Sequence, residues 1–547
     1  MVSRFLYRRQ TNILSAAAVL MLTVFLSSIL GLVRDRFLAG AFFSPETAWQ
    51  LDVYFAAFRL PDMIFQLLVV GALSAAFIPV FSQHLVKDKK EAWHVASTVI
   101  TFAVVGFLIL AGLLIVFASS LSRLIAPSFS AVELSLMVSL TRILVLAQLS
   151  FLVSAFLTGI LQSHHHFIIP ALSPIAYNLG IIFGILVLSP ILGIFGPAVG
   201  VLLGALLHLL IQLPLTRKIG FRFQFSFDYR HPSVKRIGRL MLPRTLALAV
   251  SQIELTLAVF IATALPAGSL AIFYFAQHLN SLPVGLFGST IGQAALPSLS
   301  RVTLEDLQKF KVLLIASLNQ VLFLSLPAGM ILLILRVPAV RLAFGTANFP
   351  WQATLLTGRV VALFAISVFA QSAVQILVRG FYAMSNTKTP LFLGGFSVLL
   401  NVGLSLMFVY RFGLGVMGLA LGISIASFIQ AALLFTVLLK KLGGASISEF
   451  WLPFLKMTLS TLLTGLALWL PMRLLDRYLL DTARTLDLIV LSTITTVIGL
   501  GVYAVLSKIF KVAELNGFID LLNKVRHLKS TLKTSEAALE PTLPLSS

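Results

Sequence analysis

A small set of charged side chains sits inside stretches of sequence that are otherwise hydrocarbon. Arg34, Asp35 and Arg36 follow one apolar run, and Asp52, Arg59 and Asp62 punctuate the next. Arg244, Glu254, Arg359 and Arg379 are scattered further along, together with His278. Burying such groups in lipid is costly unless water or a partner accompanies them, which makes them the first candidates for function. Taken singly, each has a structural reading as good as a functional one. Arg36 is placed to snorkel to an interface, and Arg59 to pair with Asp35 or Asp62. Taken together they predict a polar cavity with net positive charge between the two halves of the chain. Guanidinium groups offer paired N–H donors that match phosphate oxygens, so the cargo favoured by such a cavity is anionic.

Little else in the sequence suggests chemistry. It contains no P-loop, no H-E-x-x-H and no G-x-S-x-G motif. The absence of cysteine excludes disulfides, thiolate metal sites and cysteine nucleophiles. His164, His165 and His166 stand together, but adjacent side chains on a short turn rarely converge on one ion. They read as a solvated turn, and no metal or other cofactor is expected. A membrane enzyme acting on polyprenyl-linked sugars would need acids on a large polar loop. The longest loop, Arg217–Arg239, holds only Asp228.

The elements that must position the charges are membrane helices. Apolar residues make up 59% of the 547 and charged residues only 11%, against roughly 25% charged in ordinary soluble domains. Runs such as Ile100–Ser119, Ile181–Leu213 and Leu486–Leu506 meet the length of about 20 residues that a helix needs to cross a bilayer. The recurring series of short alternating segments that would indicate a β-barrel is missing. The pattern predicts an all-α polytopic membrane protein of about fourteen spans. Ile13–Val33, preceded by Arg4, Arg8 and Arg9, reads as a retained first span.

Lys and Arg crowd the even-numbered connections, at Lys87, Lys89, Lys90 and the seven basic residues of Arg217–Arg239, then at Arg301, Lys309, Lys311, Lys388, Lys440 and Lys441. The odd-numbered connections are sparse. That bias places both termini in the cytoplasm. It also accounts for the net charge of +21 without a nucleic-acid partner.

The two halves echo each other. At an offset of about 218 residues, Phe55, Ala76, Pro79 and Ser82 meet Phe273, Ala294, Pro297 and Ser300. The same offset sets Gly200, Gly204, Ile211 and Gln212 on Gly418, Gly422, Ile429 and Gln430. The spacing predicts two six-helix lobes related by a pseudo-twofold axis, over 1–217 and 218–440. Two extra helices follow over 441–510, and a cytoplasmic tail over 511–547. Prolines within spans, among them Pro61 and Pro283, with Gly285, Gly288 and Gly292 nearby, allow kinks or hinges.

Several segments resemble one family. Ser27-Ser28-Ile29-Leu30-Gly31-Leu32-Val33-Arg34-Asp35 resembles the S-R-x-L-G-x-x-R-D opening of the MurJ (MviN) family, and Asp52 to Pro61 resembles its D-A-F-x-x-A-F-[RK]-[IL]-P segment. Gly71 to Pro79, Pro283 to Ser300, and Gly380-Phe381-Tyr382 with Lys388-Thr389-Pro390 follow further motifs in the same order.

Members of that family are lipid II flippases of the multidrug/oligosaccharidyl-lipid/polysaccharide exporter superfamily. The resemblance implies a transporter rather than an enzyme. It would move the undecaprenyl-pyrophosphate-linked peptidoglycan precursor from the inner to the outer leaflet by alternating access. Arg34 is implied as a headgroup-contacting residue, with Arg59, His278 and Ser28 as further binding candidates. Asp35, Asp52 and Asp62 are implied as gate or helix-pairing residues. Ser28, Phe65 and His278 replace arginines usual in the family, and Ser281 and Val70 replace acidic partners. A related exporter of another lipid-linked oligosaccharide or of small molecules is the alternative. Coupling to membrane potential or to a monovalent ion, and a monomer among membrane lipids, complete the expectation.

Overall fold

The computed structural model describes residues 13–70, 77–444, 447–482 and 484–517, and no strand occurs among them. The first helices are α1 (Ile13–Phe42), α2 (Ala48–Ala57), α3 (Arg59–Phe65), α4 (Ile78–Lys87), α5 (Lys89–Ile125) and α6 (Ala131–Ser163). Then come α7 (Ile168–Phe183), α8 (Ser189–Leu192), α9 (Phe195–Leu210), α10 (Leu213–Lys218), α11 (Pro232–Ala262) and α12 (Ser269–Pro283). The chain continues through α13 (Thr290–Glu305), α14 (Leu307–Ile334), α15 (Arg336–Phe344) and α16 (Trp351–Ala383). It ends with α17 (Lys388–Leu406), α18 (Val416–Lys441), α19 (Leu452–Tyr478) and α20 (Thr485–Ile509).

Eleven stretches among the described residues are helical, long and apolar enough to cross a membrane. They coincide with the hydropathy spans expected near 91–120, 131–163, 168–189, 193–217, 269–300, 307–335, 350–384, 388–410, 415–440, 451–471 and 484–509. The other three expected spans fall on α1, on the broken segment α2 to α4, and on α11, whose apolar part is Leu248–Ala262. These three carry most of the charges at membrane depth. The fold is therefore all-α and polytopic, with the charge-bearing segments distinct from the plainly hydrophobic ones.

Within the spans, side chains divide by face. On α5, Leu108, Ile109, Val116 and Phe117 are exposed, while Phe107, Ala111, Leu114 and Ala118 are buried. The exposed set is the side a bilayer would cover. Small residues let helices approach closely, as where α7 meets α9. A Cβ added at Gly180 would lie 2.4 Å from the Cα of Gly204, which no larger side chain allows.

By its internal contacts the chain forms two compact units. One lies within Met1–Leu282, Arg336–Phe364 and Leu391–Ala426, the other within Pro283–Leu335, Ala365–Pro390 and Ser427–Ser547. In the second, the Tyr503 hydroxyl of α20 donates to the Phe323 carbonyl of α14 at 3.0 Å, and Lys311 pairs with Glu449 at 3.1 Å.

Local geometry repeats at close to the offset of the sequence duplication. π-Helical turns occupy Gln66–Val70 and Val284–Ser289. Asp88 caps α5 through the N–H groups of Lys90 and Glu91, and Asp306 caps α14 through those of Gln308 and Lys309. His165 and Ser385 each take a positive φ, of 60° and 55°, just beyond α6 and α16. The three histidines thus form a helix stop. His164 stacks on Trp93 with ring centroids 5.4 Å apart, and among the described residues no group of histidine and acidic side chains is placed to hold a metal ion.

Candidate functional site

Consecutive positions on a helix point about 100° apart, so Arg34 must curl back to reach Asp35, and it does. Its Nε and Nη2 donate to Asp35 Oδ1 at 2.9 and 2.7 Å, and its Nη1 donates to Asn178 Oδ1 on α7 at 3.1 Å. Asn178 is itself held, donating to the Pro174 carbonyl at 3.1 Å and to Ser27 Oγ at 3.3 Å. The second oxygen of Asp35 lies 2.5 Å from Nδ1 of His278 on α12. Gly31 makes this approach possible, since a Cβ there would sit 3.3 Å from the His278 ring.

Arg34, Asp35 and His278 line a hollow of about 310 Å³, together with Phe55, Tyr274 and Ser281. Phe55 and Tyr274 stack at 4.9 Å to form an aromatic wall. The lining comes from α1, α2 and α12, so both halves of the sequence contribute. Arg34 and His278 are 23% and 25% exposed, whereas Asp35 is 5% exposed. An entering molecule therefore meets donors first, with the acid behind them. Arg34 has five N–H donors, of which three are engaged by Asp35 and Asn178. The expected net positive charge needs correcting: Asp35 balances Arg34, so this pair brings no net charge to the hollow.

Asp52 is buried and does not line the hollow. Its oxygens accept from the N–H groups of Gly268 at 2.7 Å and Ala271 at 2.8 Å, which fastens the N-terminus of α12 to α2. An acid at this position satisfies orphan donors and complements the helix dipole. Asp52 thus sets where α12, and with it His278, begins.

Arg59 is not brought to Arg34. It is 3% exposed. Its Nε donates to Thr256 Oγ1 at 2.9 Å, and its Nη2 donates to the carbonyl and side-chain oxygens of Gln252. No ion pair joins it to Asp35 or Asp62. Neutral oxygens on α11 take the place of the carboxylate partner that its sequence neighbours suggested. Asp62 is half-buried on α3 and is likewise not among the residues lining the hollow.

Ser28 Oγ donates to the Val24 carbonyl of its own helix at 2.8 Å, away from the hollow. Phe65 packs edge-on against Phe151, and Ser281 donates to the His278 carbonyl at 2.7 Å. Arg36 donates to the carbonyls of Arg341 and Leu342 at 3.1 and 2.8 Å, closing the end of α15. Glu254 accepts from Asn401 at 2.8 Å, and Arg379 donates to the Gln375 carbonyl one turn earlier at 2.8 Å. The side chains of Val70 and Arg244 lie outside the described residues.

A family model described as "Lipid II flippase MurJ" matches residues 38–485. The chain belongs to the MurJ family. A MurJ relative from Buchnera aphidicola, named a probable lipid II flippase, is 30% identical over 80% of this chain and 86% of its own length. The lipid II flippase MurJ of Burkholderia cenocepacia is 28% identical over 81% and 87%. Among solved structures, a MurJ in an inward closed conformation superposes with a TM-score of 0.74 at 26% identity, covering 90% of this chain and 98% of that one. An inward-facing MATE multidrug transporter superposes with a TM-score of 0.64 at 16% identity, covering 76% and 94%. That likeness shows a shared fold. Of the residues lining the hollow, Phe55, Tyr274, His278 and Ser281 lie within the matched stretch, and Arg34 and Asp35 precede it.

Asn178 and Tyr274 were not singled out by sequence reasoning. The available signal for Asn178 was a lone amide in the apolar helix Ile168–Phe183, which marks a buried hydrogen-bond partner in a membrane helix.

Proposed function

We propose that this chain flips lipid II, carrying the pyrophosphate-linked headgroup from the inner to the outer leaflet of the bacterial cytoplasmic membrane. The observation that carries the reading is the arrangement in the hollow. Arg34 and His278 face the opening while Asp35 stands behind them. Such a site offers fixed, charge-assisted donors to phosphate oxygens and hides its own acid. The relatives' activity is transport, and the reading requires no bond-breaking residue in this chain.

Translocation proceeds in this reading by alternating access of the two six-helix halves, with spans thirteen and fourteen free to guide the lipid tail. Both termini are cytoplasmic, following the bias of Lys and Arg. The protein acts as a monomer, driven by membrane potential or a monovalent ion. Arg34→Ala in a flippase-depleted bacterium tests it, with headgroup exposure on the outer leaflet as the readout. A drop of tenfold or more is expected, since a charge-assisted hydrogen bond contributes about 1.5–3 kcal/mol. Exposure equal to that of the unsubstituted chain would remove Arg34 from the mechanism. Rescue of viability without lipid II exposure would favour a different lipid-linked cargo.

A further inference from the structure

The connection between α10 and α11 contains a segment that the flippase reading does not use. Residues 221–230 read Phe-Arg-Phe-Gln-Phe-Ser-Phe-Asp-Tyr-Arg, with aromatic and polar residues in strict alternation. The first eight of these have no regular secondary structure.

The segment is nevertheless docked along α5. The Gln224 N–H donates to Ser97 Oγ at 3.3 Å, Ser226 N–H to Thr101 Oγ1 at 3.5 Å, and Thr98 Oγ1 to Ser226 Oγ at 2.9 Å. Phe227 packs edge-on against Phe102, and Phe221 against Trp93. The chain then turns back. Asp228 faces His94 at 3.2 Å, and His231 faces Glu91 at 2.6 Å. From Glu91 to Phe102 is eleven residues of helix, a descent of about 16 Å along its axis. Satisfying main-chain N–H groups with helix hydroxyls is what a non-helical segment needs where water is scarce.

Its outward face is the unexplained part. Phe223, Phe225, Phe227 and Tyr229 are 51%, 70%, 47% and 60% exposed. The neighbouring guanidinium groups of Arg222 and Arg230 are exposed too, and the flanking helix ends carry Arg217, Lys218, Lys235, Arg236 and Arg239. A row of exposed aromatic rings among cations, on a loop joining membrane helices, suits a lipid interface. Rings settle at the headgroup level and arginines reach phosphates.

We infer that residues 221–230 form a lipid-reading strap. Its aromatic face lies in the cytoplasmic leaflet, and Arg222 and Arg230 bind the phosphates of anionic phospholipids. The strap ties the connection between the two halves to the membrane surface, and lipid composition thereby acts on the segment they share. Its side of the membrane follows from the Lys and Arg bias. The strap's contact with lipid is independent of what the hollow carries.

The chain has no cysteine, so single-cysteine spin labels report cleanly on the full-length protein. Phe225→Cys and Phe223→Cys are labelled in vesicles of phosphatidylcholine with one quarter phosphatidylglycerol, with the exposed Lys90→Cys as the aqueous reference. The strap labels are expected to favour collisions with oxygen over a water-soluble nickel chelate at least tenfold more than the reference. Equal accessibility at the three positions would overturn the proposal and point to a soluble partner instead. In a second arm, native mass spectrometry compares retained phosphatidylglycerol with phosphatidylcholine. Arg222→Gln with Arg230→Gln is expected to lower that ratio more than tenfold, and an unchanged ratio would overturn the phosphate contact.

Discussion

Asn178 gives Arg34 a third anchor beside the two bonds to Asp35, because it accepts from the Nη1 that Asp35 does not reach. Asn178→Leu preserves the size of the side chain and removes the acceptor. A hydrogen bond to a charged group contributes about 1.5–3 kcal/mol, so headgroup affinity is expected to fall about tenfold or more. Isothermal titration with a soluble pyrophosphate-sugar analogue reads that change, and a thermal melt separates it from unfolding. Affinity within twofold of the unsubstituted chain would show that Arg34 holds its pose without the amide. Arg34, Asp35 and His278 were legible in the sequence because charge inside hydrocarbon is costly and therefore conspicuous. Asn178 and Tyr274 were not, since an amide or a phenol in a span is common. Arg59 misled for a related reason. Sequence shows which carboxylates are near in number, but the oxygens that satisfy it belong to Gln252 and Thr256, nearly two hundred positions away.

Helices transmit those residue positions, and two of their attachments invite tests. Asp52 caps α12 from α2. Asp52→Ala leaves two buried N–H groups unanswered and is expected to cost about 1–2 kcal/mol, read as a lowered melting midpoint. Asp52→Asn keeps one acceptor oxygen and should lie between the two. The docked segment before α11 depends on a different acid. The hydrogen bond from His94 holds Asp228 below the usual carboxylate range, helped by the His231 N–H. A depressed acid contributes its stabilisation above its ordinary value of 3.8, and loses it as pH falls through the lowered one. Amide exchange at Gln224 and Ser226 is therefore expected to stay slow from neutral pH to the ordinary carboxylate range and to quicken in stronger acid. Asp228→Asn should remove that acid limb. An identical acid limb in Asp228→Asn would assign the transition elsewhere. Span positions were readable from hydropathy, with eleven of them matching long apolar helices among the described residues. The π-helical turns were not readable, because an i→i+5 bond depends on the packing around it rather than on any residue type.

For the molecule as a whole, the proposed flipping cycle makes the balance of charge in the hollow the quantity through which membrane potential would act. A pyrophosphate leaving the cytoplasm carries about two negative charges, and an inside-negative potential favours that movement by about 2.3 kcal/mol per charge per 100 mV. Arg34 and Asp35 together add no net charge, so reorienting the site around its cargo exposes the field to the cargo alone. Asp35→Asn uncovers one positive charge beside the headgroup. The loaded site then counts as about one negative charge instead of two, and the potential dependence of outward movement should fall to about half. Proteoliposomes with potassium gradients of graded size measure this directly, as the slope of the logarithm of the initial flipping rate against potential. The same substitution should leave residual flipping at zero potential, because Arg34 keeps its own charge and its bond to Asn178. An unchanged slope in Asp35→Asn would mean that the pair stays on one side of the permeability barrier throughout the cycle, and that the field is felt by a part of the path outside the hollow.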